Sequence, residues 1–297
     1  MAMWTRRLRF AFLLPGLLLT TCTATADRAP SATPPLRLPP TRAIPTLFPT
    51  AVAVPQAVPQ PPIATQTSDT GWIAGNTGVA LRHLRVTDEV EKAAIPLVVV
   101  RLDLARVRLR VAYTPERPRA LRTWFDEARP LAAINGGFFT EDYRSAALVI
   151  GDGQVSGASY TGFGGMLAVA PDGGISLRAL SDQPYDPAEP LAQAMQSFPM
   201  LVFPGGTPAE IQDDGKRARR TAVALDRAGR LLLIVSPTGD FTLRGFADWL
   251  SHSDLDIDRA LNFDGGSSTG LFLKSGDLSE QIDSFGPLPL VLLVEQK

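Results

Sequence analysis

The sequence predicts an α+β fold, in which a single domain contains a large mixed, mainly antiparallel sheet and a few packed helices. Short apolar runs of strand length occur in pairs separated by turn residues, which is typical of antiparallel strands. Only two segments have helical spacing. Residues 71–297 contain no internal repeat or heptad pattern, and their length is one that a single domain with a sizeable core can have.

Most predicted strands form pairs along the chain. Three hairpins are expected, each with turn residues between its strands: Leu97–Leu102 with Val107–Tyr113, Gly165–Ala170 with Ile175–Leu180, and Thr221–Leu225 with Leu231–Val235. A buried strand is also expected at Leu131–Ile134, and Leu288–Val294 supplies a strongly apolar final strand.

Two helices are expected beside the strands. The first spans Ala120–Ala128 and ends before Pro130. The second spans Phe241–His252, where Thr242 is a suitable N-cap and apolar residues recur at helical spacing. Its Trp249 and Leu250 should pack the helix onto the sheet.

The first 21 residues have the layout of a secretory signal. Arg6, Arg7 and Arg9 precede an apolar run, Phe10–Leu19, that is too short for a permanent membrane span. Two processing routes are open. Cys22 directly after the run favours a bacterial lipoprotein, lipidated at this cysteine, whereas Ala24-Thr25-Ala26 fits ordinary signal cleavage. Cys22 is the single cysteine of the chain, which favours its use as a lipid anchor.

Residues 22–70 are predicted to be a disordered spacer rich in proline and threonine. Residues 27–70 contain eleven prolines, no helical or strand period and few apolar residues. The predicted organisation is therefore a signal (1–21), a spacer (22–70) and a folded domain (71–297). The protein is expected to be exported, on the outer side of the cell membrane through its lipid or otherwise secreted.

Composition limits the chemistry of the domain. The formal net charge is −1 and no long basic block occurs, which argues against nucleic acid as a partner. Two histidines and one cysteine exclude thiolate catalysis and a histidine-rich metal site. The sequence has neither a nucleophile elbow nor a phosphate-binding loop motif. Carboxylates, amides, hydroxyls and arginine remain, together with an oxygen-bound Ca²⁺ or Mg²⁺, which the sequence leaves open.

Two segments place a polar side chain and two glycines directly after an apolar run. One is Phe263-Asp264-Gly265-Gly266 with its following hydroxyl residues, and the other is Ile134-Asn135-Gly136-Gly137. Such pairs can be simple turns, as expected for Asp152-Gly153. However, both runs are too apolar for surface hairpins, and glycine lets a ligand approach the main chain. We therefore expect Asp264 and Asn135 to belong to a site.

Two further side chains are candidates. Arg220 directly precedes the Thr221–Leu225 strand and could bind a phosphate or carboxylate, and its position makes it a better candidate than Arg219. Gln196 lies before the apolar run that ends at Val202, where its sequence context favours a structural role.

Four motifs follow one another along the chain: Ile134-Asn-Gly-Gly-Phe-Phe139, Gln196-Ser-Phe-Pro-Met-Leu-Val202, Arg220-Thr-Ala222 and Leu261-Asn-Phe-Asp-Gly-Gly-Ser-Ser268. Together and in this order, they resemble the motifs of the phosphodiester glycosidase family. The family includes a lysosomal enzyme that removes N-acetylglucosamine from a phosphodiester, and bacterial members related to exopolysaccharide biosynthesis. Phe198 stands where the family often has glycine, and Gly245 where it often has an acid.

The resemblance implies hydrolysis of a sugar-1-phosphodiester in cell-surface or extracellular glycans. Asp264 would be the nucleophile or the base, Arg220 would hold the phosphate, and Asn135 and Ser267 would orient the sugar or the attacking water. Further implied substrate contacts are Gly136, Gly137, Gln196, Gly265, Gly266 and Ser268. Glu141, Asp142 and Asp240 are the weak candidates for a second acid. The alternative is a lipid-tethered, non-catalytic binder of wall glycans or phosphate-containing polymers.

Overall fold

Three antiparallel sheets, rather than one, build the part of the chain that the structure describes. This computed structural model describes residues 65–75, 77–87 and 94–297. The predicted signal, Cys22 and most of the predicted spacer lie outside these residues. Every described strand pair is antiparallel, so the expected mixed sheet is corrected to a mainly β architecture. The described residues belong to one compact unit.

The largest sheet has nine strands. In spatial order, eight of them run β1-β3-β4-β15-β14-β16-β12-β13, and β2 pairs with β3. Their bounds are β1 Thr65–Asp69, β2 Ile73–Ala74, β3 Val79–Thr87, β4 Ala94–Leu102, β12 Met200–Phe203, β13 Thr207–Pro208, β14 Arg217–Asp226, β15 Leu231–Thr242 and β16 Ile257–Asn262.

Two five-stranded sheets complete the described architecture. The order β10-β9-β11-β7-β8 contains β7 Val149–Gly151, β8 Gln154–Ser156, β9 Gly165–Val169, β10 Ile175–Ala179 and β11 Gln193–Ser197. The order β18-β17-β6-β19-β5 contains β5 Val107–Tyr113, β6 Ala132–Asn135, β17 Leu271–Ser275, β18 Leu278–Ile282 and β19 Leu290–Gln296.

Two α-helices occur in the described residues, as the sequence predicts. Helix α1 spans Leu121–Ala128 and α2 spans Leu243–His252. The Thr242 hydroxyl accepts a hydrogen bond from the Gly245 amide at 3.0 Å, which confirms the predicted N-cap. Trp249 and Leu250 of α2 are buried against the nine-stranded sheet, as expected. No helix in the described ranges is long and apolar enough to cross a membrane.

The central core lies where the three sheets face one another. Its buried side chains come from all three, including Val100 and Val223 of the nine-stranded sheet, Leu292 of the sheet containing β6, and Leu167 of the remaining sheet. The other face of the nine-stranded sheet is covered by α2. Alternating side-chain direction along each strand thus separates an inner face from the face that packs against α2.

Two sequence predictions about strands are corrected. Two of the three predicted hairpins are confirmed, because β9 pairs with β10 and β14 pairs with β15. The third is wrong. Strand β4 pairs with β3 and β15, and β5 pairs with β19. Both hydrogen-bonding edges of β4 are therefore already occupied. Strand β1 also lies within the predicted spacer. Its Asp69 carboxylate accepts two hydrogen bonds from the buried Arg82, which ties this polar edge strand to β3.

Candidate active site

The Asp264 corner lies where two sheets meet. Strand β16 ends at Asn262, and the Phe263 amide continues its ladder by donating to the Thr221 carbonyl at 2.9 Å. The next amide, of Asp264, donates instead to the Gly136 carbonyl at 3.0 Å. One short segment is therefore bonded to β14 of the nine-stranded sheet and to the corner that follows β6. The structure thus brings together the two glycine-pair corners predicted from the sequence.

Asn135 holds this junction with hydrogen bonds in four directions. Its amide nitrogen donates to the Asp264 carbonyl at 2.7 Å and to the Gly136 carbonyl at 3.3 Å. Its oxygen accepts from the Thr221 hydroxyl at 2.9 Å and from the Gly270 amide at 3.1 Å. The side chain is 0% exposed. All its hydrogen-bonding capacity is used within the protein, so the geometry favours a positioning role over the direct substrate contact expected from the sequence.

Gly136 and Gly137 are required by close packing. A Cβ on Gly136 would lie 2.6 Å from the Cγ of Leu290 and 2.8 Å from the sulfur of Met195. A Cβ on Gly137 would lie 2.6 Å from the Gln196 carbonyl. Both residues are buried. Their absent side chains let β19 and β11 approach the corner, which is a structural reason for the glycines in addition to the substrate contact that the resemblance implies.

The Asp264 carboxyl group is partly buried and held by its own loop. It accepts a hydrogen bond from the Gly265 amide at 2.9 Å. Burial raises the pKa of Asp264, and hydrogen bonds from Ser268 and the Gly265 amide partly oppose this effect. Gly266–Ser268 form a single 3₁₀ turn in which Ser267 is exposed and Ser268 is buried. The loop therefore presents a desolvated carboxyl group beside an accessible hydroxyl.

Arg220 and Arg219 lie on opposite faces of β14. Ala222 pairs with Asn262, the last residue of β16, and Arg220 lies two positions before Ala222 on β14. The guanidinium of Arg220 donates to the carbonyls of Phe241 at 3.1 Å and Lys216 at 2.8 Å. These bonds draw it toward β15. Among the described residues, its Nη1 has no hydrogen-bond partner.

Burial lowers the pKa of the Arg220 guanidinium, and the carboxylates of Asp214 and Asp213 only partly oppose this effect. A half-buried cation of this kind is a good partner for an anion. On the other face, Arg219 donates to the carbonyls of Pro237 and Asp283, and its guanidinium carbon lies 4.1 Å from the centre of the Phe285 ring.

Gln196 uses its side-chain hydrogen bonds to hold a neighbouring loop. Its side chain is 1% exposed, accepts from the Tyr160 amide at 2.9 Å and donates to the Ser159 hydroxyl at 2.8 Å. The residue therefore anchors the 159–160 loop onto β11. This placement agrees with the structural role that its sequence context favours, and differs from the substrate contact implied by the resemblance.

The sequence did not indicate a role for Asn262, whose buried side-chain nitrogen donates to the Phe198 carbonyl at 2.9 Å. A signal was present, because Asn262 is a polar residue in an apolar strand and stands two positions before Asp264, on the same face. Thr221 and Thr269 were missed as well, and their hydroxyls lie 3.2 Å apart beneath Asn135. In the described ranges, no group of three or more His, Cys, Asp or Glu side chains could hold a metal ion.

A family model described as phosphodiester glycosidase matches residues 128–294, which include both corners and Arg220. The chain therefore belongs to the phosphodiester glycosidase family, which confirms the resemblance noted in the sequence.

Two solved structures share the fold. The catalytic domain of zebrafish N-acetylglucosamine-1-phosphodiester alpha-N-acetylglucosaminidase, auto-inhibited by its pro-peptide, aligns with a TM-score of 0.57 and 18% identity, covering 74% of this chain and 83% of that one. A hypothetical protein from Synechocystis aligns with a TM-score of 0.54 and 15% identity, covering 74% of this chain and 62% of that one. No curated protein sequence matches the chain.

Proposed function

We propose that this protein hydrolyses the glycosidic bond of a sugar-1-phosphodiester, with the Asp264 carboxylate acting at the anomeric carbon. The observation that carries the proposal is the convergence of both glycine-pair corners on this one partly buried carboxyl group. Membership of the phosphodiester glycosidase family supports the reaction class.

The role of Asp264 follows from the charge that develops during cleavage. The transition state resembles an oxocarbenium ion, which a nearby carboxylate stabilises. Asp264 acts as the nucleophile or as the base toward water. Burial favours either role, because a desolvated carboxylate interacts more strongly with positive charge than one in water does. The Gly265 amide and Ser268 keep the carboxylate oriented.

Arg220 holds the phosphate in this proposal. It lies on β14, the strand that pairs with β16, and its Nη1 is available among the described residues for a charge-assisted hydrogen bond. Glycosidases usually need a second acid to protonate the leaving oxygen. Here the leaving group is a phosphate monoester, a stable anion, so Arg220 can replace much of that protonation by stabilising charge. The weak second-acid candidates Glu141 and Asp142 are exposed.

The product distribution tests the reaction. Asp264→Asn should abolish the release of free sugar from a panel of sugar-1-phosphodiesters, whereas the matched control Asp277→Asn, at an exposed turn between β17 and β18, should retain it. Turnover that is unchanged in Asp264→Asn would contradict the assignment. Free sugar phosphate as product would instead show cleavage of the P–O bond. Binding without turnover by the wild-type chain would favour the non-catalytic binder.

The natural substrate is proposed to be a phosphodiester-linked sugar of cell-surface or extracellular glycans. Support comes from the N-terminal sequence, where a charged segment and a short apolar run precede Cys22 and a proline-rich stretch. Lipidation at Cys22 would tether the catalytic domain on the outer side of the membrane, and the proline-rich stretch would extend its reach.

A further inference from the structure

Four aromatic side chains form a connected cluster. The ring centres of Phe138 and Phe198 lie 4.6 Å apart, as do those of Tyr160 and Phe163. Phe198 joins the two pairs, with its centre 5.7 Å from that of Tyr160 and 6.0 Å from that of Phe163. These separations are in the range of favourable ring contacts. We call these four residues the aromatic cluster.

The aromatic cluster is continuous with the Asp264 corner through the main chain. Phe138 directly follows Gly136 and Gly137, and the Gly136 carbonyl accepts the Asp264 amide. On the other side, the Phe198 carbonyl accepts from Asn262, two residues before Asp264. The rings therefore come from backbone segments that are bonded to the segment carrying the carboxyl group.

The outer member of the cluster is held at the surface by a tightly packed loop. Phe163 is 41% exposed and lies between two glycines with positive φ, Gly162 at 73° and Gly164 at 76°. A Cβ on Gly164 would lie 2.7 Å from the Ser197 carbonyl, so only glycine allows the loop to approach β11 this closely. A single exposed phenylalanine needs no explanation. Here, however, Phe163 completes a row of four rings whose segments bond to the segment that carries Asp264, and aromatic side chains of this kind commonly line binding sites.

The order of strands in the nine-stranded sheet is the second feature that bears on the aromatic cluster. Strand β16, which leads to Asp264, lies between β14, which carries Arg220, and β12, which directly follows Phe198 and Pro199. The strand that carries Arg220 and the strand that follows Phe198 are thus on opposite sides of β16. A sugar-1-phosphodiester has the same three-part layout, with its sugar ring and its phosphate on either side of the anomeric carbon.

We propose that the rings of Phe163 and Phe198 form the wall against which the sugar ring of the substrate packs, and so contribute to its selection. This inference rests on the proposed function. The C–H groups on one face of a pyranose present an apolar surface to an aromatic ring, while the hydroxyls at its edge need polar partners.

Binding to the full-length Asp264→Asn variant tests the wall without turnover. Calorimetric titration would use the methyl phosphodiesters of α-linked N-acetylglucosamine, glucose, galactose and mannose 1-phosphates. Adding Phe163→Ala or Phe163→Leu should weaken binding of the preferred sugar about five- to tenfold, because both remove the ring. Phe163→Tyr should restore it. The leucine variant separates ring stacking from mere apolar contact.

A matched control uses the other exposed phenylalanine near the corner. Phe285 is 79% exposed and lies on Arg219, on the opposite face of β14. Phe285→Ala should leave the Kd within about twofold, a change below the effect of one ring contact. In the active chain, Phe163→Ala should raise KM with little change in kcat, since the wall does not touch the reacting bond.

The outcomes separate the wall from the proposed reaction. An unchanged Kd in Phe163→Ala, beside a wild-type chain that releases sugar, would overturn the wall and leave the hydrolysis standing. Weakened binding in Phe163→Ala, with no turnover by the wild-type chain, would support the wall and contradict the hydrolysis. A wild-type chain that binds none of the four phosphodiesters would overturn both.

Discussion

Replacing Asn135 by alanine should both destabilise the fold and reduce turnover. The substitution removes the four hydrogen bonds that join β6, β14 and the Asp264 corner. The Gly270 amide and the Asp264 carbonyl would each lose the hydrogen-bond partner that Asn135 supplies. Asn135 is fully buried. The Thr221 hydroxyl retains a neighbour in Thr269.

The magnitude follows from these two groups. An unsatisfied buried polar group costs about 2 kcal/mol, so the free energy of unfolding should fall by about 4 kcal/mol. For a domain of this size, 1 kcal/mol corresponds to about 2–4 °C in Tm, and the expected decrease is therefore about 8–16 °C. The Asp264 carbonyl would also lose its anchor, which should lower kcat through displacement of the carboxylate.

Differential scanning calorimetry and turnover measured well below each Tm would check the prediction. Gln193→Ala is a matched control, because Gln193 is another buried amide that bonds the Val111 amide at 2.9 Å and the Asp152 carboxylate at 2.7 Å, far along the chain from the corner. It should lose stability but retain kcat. A Tm within about 2 °C of wild type in Asn135→Ala would refute the energetic argument. Loss of activity without loss of stability would instead indicate direct contact with substrate.

Two further predictions concern Asp264 and Cys22. Because burial raises the pKa of Asp264 above its unfolded value, folding favours the protonated form, and ionisation costs stability as pH rises through the folded pKa. Asp264→Asn should therefore raise the Tm at neutral pH, and the gain should vanish below about pH 4, where the carboxyl group is protonated in both states; a gain that does not depend on pH would contradict this origin. Cys22→Ser should move the expressed protein from the membrane fraction to the soluble fraction, and continued membrane association would argue against a lipid anchor at this residue.

Local sequence patterns were sufficient to predict the structural features that depend only on residues close together in the chain. Helix α2 begins where Thr242 caps it, and the hairpin of β14 and β15 forms at the predicted turn. Glycine pairs after apolar runs also identified both corners. These features depend on side-chain period and turn chemistry, which a few consecutive residues contain.

Pairing between distant strands could not be predicted in the same way. The four residues between β4 and β5 favour a hairpin, but β3 and β15 occupy both edges of β4, and β5 joins β19 near the other end of the chain. Which edge a strand occupies depends on competition among all the strands. A local turn signal carries no information about that competition.

The sequence by itself determined the family, the two corners and the residue types that the chemistry can use. Tertiary structure decided what each side chain does. It brought Asn135 into hydrogen bonding with Asp264, 129 positions away in the sequence, and it placed Gln196 where its side chain holds the 159–160 loop. It also gave Arg219 and Arg220 different backbone carbonyls to bond and assembled the aromatic cluster from three separate segments. The physical reason is that a side chain's role depends on which donors, acceptors and rings surround it, and those neighbours are brought together only by packing of the three sheets.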